Sequence, residues 1–394
     1  MNRKKDVGKK PDTAIIVAII ALVGTLITAV LTSPVLIAII SRTPSPTLTE
    51  TPSTTFQSLT PDNQSSPTAD SSLPTFKPQN FSGKIAFSST KDNTRGLYLL
   101  DAQDKSVLPI APKLTENLDS YFHFKWSPDG KKILYSGFLP QAGLYIFDIE
   151  NNQSSFLTDK PAFSFDWSPT GNQIVFSTMN YSNGLITYGQ YVLDLTTKNY
   201  QPLASFSPEV SGMTDGIAWS PNNSEIAFSA WTETDDSSLD IFSVNPNGAN
   251  LRNITNYPKG EAAYKNLAWS PDSKYLAMMT ENSIILISSD SAFKTLYSSQ
   301  EVSISPDKNG ISWSPDSTKI IFDDLYNVIR IVNIKDGTIT TMPLKGSCPN
   351  WSPDGKNIIF VSPGLNGNEI LLNNDNGTEK LTDNMQVECA KWQP

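Results

Sequence analysis

The chain has 394 residues, a formal net charge of −9 at pH 7, one histidine and two cysteines. An acidic chain lacks the basic face that neutralises phosphates, so nucleic acid is excluded as a partner. One histidine and two cysteines cannot build a four-ligand Cys/His zinc site, or a three-histidine catalytic one, within a single chain; no metal site and no cofactor are expected.

Residues 1–13 are basic, with Arg3, Lys4, Lys5, Lys9 and Lys10 against Asp6 and Asp12. Residues 14–40 follow as an uncharged apolar run. As a helix it would be about 40 Å long, enough to cross the ~30 Å hydrocarbon layer with tilt, or to end early at Pro34. The basic flank places 1–13 in the cytoplasm and everything after Ile40 outside. The run is longer than the apolar core of a cleaved signal peptide and has no A-x-A pattern after it, so an uncleaved anchor is the expectation and cleavage the alternative. Residues 41–80 hold 24 Ser, Thr or Pro out of 40. Such a segment buries too little apolar area to fold, and its prolines keep it extended, as a stalk of set reach or as a plain tether.

From residue 81 onward one short motif recurs. W-S-P-D-G stands at 126–130 and 351–355, with W-S-P-T-G at 167, W-S-P-N-N at 219 and W-S-P-D-S at 269 and 313; the chain stops on W-Q-P at 392–394. The gaps between these tryptophans are 41, 52, 50, 44, 38 and 41 residues. Seven and nine residues past each internal tryptophan stand two large apolar residues, such as Ile133/Tyr135 and Ile320/Phe322, the alternation of a strand. Further runs at 144–148, 191–195, 241–244, 284–287, 328–332 and 369–373 supply a third strand, and short segments such as 155–158 a fourth. Four strands every 40–50 residues predict propeller blades. Residues 83–89 look like the strand after a motif turn but lack a tryptophan strand before them, whereas 387–392 is a tryptophan strand with nothing after it. Pairing the two predicts a closed, all-β, seven-bladed propeller over 81–394 that hides its sheet edges.

The motif with its following Lys-Ile-x-Phe-type strand resembles the repeat of the TolB-type, WD-like β-propellers, over about four fifths of the chain. The resemblance implies that fold and a bacterial source, and it leaves function open, because propellers host many. TolB itself carries a compact α/β domain where this chain has an anchor and stalk.

Candidate site residues fall in two places. Long connections are expected at 177–189, 205–216 and 229–240, and variable loops on a rigid scaffold commonly bind. Trp231 is the only tryptophan outside the repeat, either an interface anchor or a cover for its own blade. Asp235, Asp236 and Asp240 nearby match no calcium loop and read as a solvated acidic stretch. The second place is the channel mouth. One residue before the seven tryptophans stand Lys125, Asp166, Ala218, Ala268, Ser312, Asn350 and Lys391; three before stand His123, Ser164, Gly216, Asn266, Gly310, Cys348 and Cys389. This predicts a polar ring that either takes a small ligand or peptide or encloses water around paired charges such as Lys125 with Asp166. Cys348 and Cys389 occupy matching positions on adjacent blades and stand either as a disulfide or as two buried thiols, since bridging needs Cα atoms within about 7 Å.

The expected function is a displayed binding module for a protein or peptide, or for a glycan, with no enzymatic activity. An enzyme is the alternative: no G-x-S-x-G elbow occurs and one histidine leaves few nucleophile–base pairs, but a carboxylate-based hydrolase or lyase would draw on Asp166, Asp215 or His123. An envelope-organising structural role is the third reading.

Overall fold

The computed structural model describes residues 83–394 except 92–93, 116–122, 139, 161, 183–184, 204–209, 212–215, 233–238, 256–264, 281, 289–291, 300–309 and 366. The expected anchor at 14–40 and stalk at 41–80 lie outside the described residues. Among the described residues no helix is long and apolar enough to cross a membrane.

Seven antiparallel sheets form seven blades. The first blade is built from both ends of the chain: the C-terminal strand Val387–Trp392 pairs with Lys84–Lys91, which pairs with Thr94–Asp101 and then Val107–Thr115. The register sets Ile85 opposite Trp392 and Phe87 opposite Ala390. The tryptophan strands of blades 2 to 7 are Phe124–Trp126, Ala162–Trp167, Ile217–Trp219, Lys265–Trp269, Ser312–Trp313 and Ser347–Trp351, each the first strand of its sheet in chain order except in the fourth blade, where Val210–Ser211 precedes it.

The core lies in the seams between blades. Alternating residues of each sheet meet those of its neighbour, so every seam carries its own apolar cluster. The aromatic residue nine past the tryptophan is central: Phe176, Phe228, Phe322 and Phe360 are fully buried, and Phe87 fills the same place in the closing blade. Burying one such ring is worth roughly 2–3 kcal/mol, so the seams dominate the stability of the ring.

The motif turn is held by its own polar atoms. In blade 2 the Ser127 hydroxyl donates to Asp129 Oδ1 at 2.6 Å and accepts from the Lys132 backbone N–H at 2.8 Å. Blades 5, 6 and 7 repeat this with Ser270/Asp272, Ser314/Asp316 and Ser352/Asp354. The serine hydroxyl, first among the causes, holds the Asp129, Asp316 and Asp354 carboxyls below their ordinary range. The position after the aspartate needs a positive φ, 66° at Gly130 and 69° at Gly355. Ser273 and Ser317 hold it at 59° and 60°, and each hydroxyl accepts a backbone N–H from the turn of the preceding blade, Asn222 and Asp272 respectively. That bond across the seam offsets the strain of a non-glycine residue there.

The tryptophans close the seams in two alternative ways. Trp126, Trp167, Trp269 and Trp313 donate their indole N–H across the seam to the carbonyls of Lys391, Lys125, Ala218 and Ala268, at 3.1 to 3.3 Å. In the other three seams the residue before the tryptophan has a polar side chain, which accepts the next tryptophan's backbone N–H instead: Asp166 from Trp219, Ser312 from Trp351 and Asn350 from Trp392. There the indole goes elsewhere. That of Trp219 bonds Asn223 of its own turn, and those of Trp351 and Trp392 are buried without a partner among the described residues.

Three expected loops are corrected. Residues 177–189 are mostly strand, because Gln173–Ser182 and Leu185–Asp194 pair continuously and carry the hairpin past the body of the sheet. Within 205–216, Val210–Ser211 forms a short strand beside Trp231 and Thr232, giving the fourth blade five strands. Within 229–240, only 233–238 lies outside Ile226–Thr232 and Leu239–Val244. Polar and small residues in these stretches concealed the strand alternation.

Candidate functional site

The innermost strands carry the polar ring into the channel. The residue two before each tryptophan turns into the seam, where Phe124, Phe165, Ile217 and Leu267 are buried. The neighbours on either side therefore face the axis, as period-two alternation requires.

Lys125 and Asp166 meet there, Nζ to Oδ1 at 2.9 Å. Asp166 also accepts the backbone N–H groups of Trp167 and Trp219, both at 3.0 Å. Its two oxygens are therefore engaged by one ammonium and two amides. This pair answers the charge-pairing reading of the ring.

Lys391 enters the same channel from the closing strand. Its ammonium stands 5.6 Å from the centroid of the Phe124 ring. Burial is the largest influence on it, followed by repulsion from Lys125, and Asp166 offsets these in part; its pKa is pushed down to about 8.

His123 packs edge-on to Phe165, ring centroids 6.4 Å apart. Its pKa is lowered to about 4, first by burial and then by the cations Lys391, Lys125 and Arg95. The residue is nonetheless exposed to solvent. Solvent screens part of the effect, while all the neighbouring cations act in one direction. His123 is therefore a neutral imidazole at physiological pH.

An ion pair that sequence reasoning missed joins Arg95 to Glu388, with Arg95 Nε 2.8 Å from Glu388 Oε2. It bridges the N-terminal and C-terminal strands of the closing blade, so its only sequence signal was the closure itself.

Between the fifth, sixth, seventh and closing blades the channel widens into a cavity of about 290 Å³, bordered by Trp269, Ser312, Trp313, Asn350 and Lys391 among others. Cys348 borders it too and is bonded to Cys389, with Cα atoms 5.4 Å apart. The two thiols left open by the sequence are thus a disulfide tying the seventh blade to the closing strand.

Trp231 is corrected: its backbone lies in the strand Ile226–Thr232, opposite Leu239 and Ser211, and not in a loop. Asp215 lies outside the described residues, as do Asp235 and Asp236. Asp240 is buried in its strand, where Thr255 Oγ1 and Asn253 Nδ2 donate to its carboxylate, and it is no part of a solvated loop. Among the described residues no group of three or more His, Cys, Asp or Glu is placed to hold a metal ion.

The comparisons with known proteins agree on the fold. A model of the ELP1 first N-terminal β-propeller matches residues 159–316. No curated protein matches the chain. Among solved structures, a puromycin hydrolase S511A mutant complexed with PGG is 13% identical with a TM-score of 0.60, over 77% of this chain and 52% of that one. An oligogalacturonate lyase in complex with manganese is 15% identical with a TM-score of 0.56, over 74% and 85%. TolB from Acinetobacter baumannii is 17% identical with a TM-score of 0.48, over 80% and 68%. This chain spans about half the length of the puromycin hydrolase. The class defined is the seven-bladed β-propeller, and identities this low carry nothing finer.

Proposed function

We propose that the chain is a membrane-anchored, extracytoplasmic binding module of the TolB-like, WD-like propeller class, without catalytic activity of its own. Residues 14–40 anchor it with the N-terminus in the cytoplasm, and 41–80 hold the propeller clear of the membrane of a bacterial cell, in the periplasm or on the exterior. The partner is a protein or peptide, with a glycan as the variant of the same reading.

One observation carries the proposal: a rigid ring gathers Lys125, Asp166, His123 and Lys391 into one channel beside a cavity of about 290 Å³. Concave sites with a few convergent polar groups are where ligands settle. An enzyme reading competes, since two of the similar folds carry enzyme names. It would draw on the neutral His123 or the carboxylate of Asp166 or Asp215 as base, and Asp166 is already engaged by one ammonium and two amides.

The test uses the full-length chain as bait against envelope extract, beside Trp231→Ala and Lys391→Met variants, with hydrolase and lyase assays run in parallel. A bound set that shrinks with either variant supports the module. Turnover abolished by His123→Ala or Asp166→Asn, with the fold intact, would overturn it. Protease added to intact cells should remove the propeller if it is displayed on the exterior.

A further inference from the structure

The polar side chains around the channel cavity are unequal in what they still offer. The Ser312 oxygen accepts from Asn350 Nδ2 at 3.1 Å and from the Trp351 backbone N–H at 3.4 Å. Both lone pairs are therefore used, and its proton is left to point away from them. Asn350 spends its carbonyl oxygen on the Trp392 N–H at 3.0 Å and one amide hydrogen on Ser312, so the second amide hydrogen remains. The indole hydrogens of Trp269 and Trp313 are taken by carbonyls. Lys391 borders the cavity, and among the described residues its ammonium has no acceptor, only the face of Phe124. Among the described residues every side-chain group left over at the cavity is a donor, and none of those that line it is a carboxylate.

The charges agree. Among the described residues of the channel Asp166 is matched by Lys125, which leaves Lys391 as surplus positive charge. A lysine stem has four rotatable carbons, so its ammonium can swing from the Phe124 face to an anion in the cavity. Trp269, Trp313 and Pro349 add apolar wall to the cavity, and a charge pair beside low-dielectric wall attracts more strongly than one in open water.

We infer that this cavity is a site for a small organic carboxylate, with Lys391 meeting the charge and the Ser312 hydroxyl and Asn350 amide donating to its oxygens. The inference rests on the channel being a binding site and names the chemistry that it takes. A carboxylate of this size is offered by the carboxy-terminus of a short peptide or by a sugar acid.

Isothermal titration of the full-length chain at pH 7 and low salt distinguishes these. The probes are trialanine with a free carboxy-terminus, trialanine amide, glucuronate and glucose. The expected result is saturable binding of at least one carboxylate, with its neutral counterpart weaker by about tenfold or more. Lys391→Met should weaken that carboxylate by a similar factor, and Lys391→Arg should retain most of it. The preferred carboxylate identifies the source. The inference is overturned if neutral and charged partners bind alike, if Lys391→Met changes nothing while its circular dichroism matches wild type, or if no carboxylate saturates up to about 10 mM, far above the range of specific sites. Neutral probes that bind in the channel would leave the module reading intact; the pull-down with envelope extract judges that reading separately.

Discussion

Removing the covalent tie between the seventh blade and the closing strand tests the closure directly. Cys348 and Cys389 are 41 residues apart in sequence. In the chain-entropy account a cross-link closing such a loop stabilises by about 4 kcal/mol, by restricting the unfolded chain. Against a total of roughly 5–15 kcal/mol, this is a large share. Reduction should therefore lower the unfolding free energy by about 4 kcal/mol, and the thermal midpoint by about 6 °C for a domain of this size. A Cys348→Ala/Cys389→Ala variant should fall a little further, because two sulfurs are lost from a packed seam where Cys348 is 2% exposed. Urea unfolding followed by tryptophan fluorescence measures both, and the slope against urea should rise as the unfolded chain expands. An unchanged midpoint on reduction would refute the reasoning, as would two titratable thiols in the unfolded, unreduced chain.

The remaining predictions concern the channel and the seams. His123 is the only histidine, so its ring proton resonance reports a single titration; the midpoint should lie near 4, and one near 6.5 would contradict the cationic channel. Because that folded-state value is lowered, His123 favours the fold fully above pH 6.5, and this contribution is lost as pH falls from 6.5 through about 4, which acid titration of stability should show. Asp166→Ala should cost about 3 kcal/mol, since it orphans Lys125 and the Trp219 amide, whereas Asp166→Asn should cost less by keeping an acceptor. Ser312→Ala should cost under about 1 kcal/mol, because the buried Trp351 indole, now unpartnered, can turn to the carbonyl of residue 312 as its counterparts do in four other seams; a loss of about 2–3 kcal/mol by urea titration would reject the two-latch account. Deleting 387–394 removes Val387, Ala390 and Trp392 from the core and unpairs the edge of Lys84–Lys91, so the chain should fail to fold cooperatively.

The fold was legible because one turn recurs with its tryptophan and its two apolar followers, and each of those residues has a single physical task. The half repeat at each end carried the closure for the same reason. Connections were harder to read. The hairpin through 177–189 is rich in Ser, Thr, Asn and Gly, and its strands are held by backbone pairing, which leaves no alternation in the side chains. The site was legible in its membership and not in its geometry. Position before the tryptophan identified Lys125, Asp166 and Lys391 as channel residues, but the bond from Trp219 to Asp166 crosses a seam 53 residues wide in sequence. Arg95 had no marker at all, since its partner Glu388 lies at the other end of the chain.

The two latches explain why the channel chemistry is distributed as it is. A side chain that takes the next tryptophan's amide is committed to the seam, as Asp166, Ser312 and Asn350 are. Where the indole bonds the carbonyl instead, the side chain of the residue that supplies the carbonyl is not needed for the latch, and those positions are Lys391, Lys125, Ala218 and Ala268. The cations of the channel thus stand at the positions packing leaves free, and the donors beside the cavity stand where packing has already consumed every acceptor. A carbonyl latch at residue 350 in place of the side-chain latch would release Asn350 to both donate and accept. The cavity proposed to take a carboxylate would then gain an acceptor beside Lys391 while the seam stayed closed, so the choice of latch would tune which groups the cavity can pair.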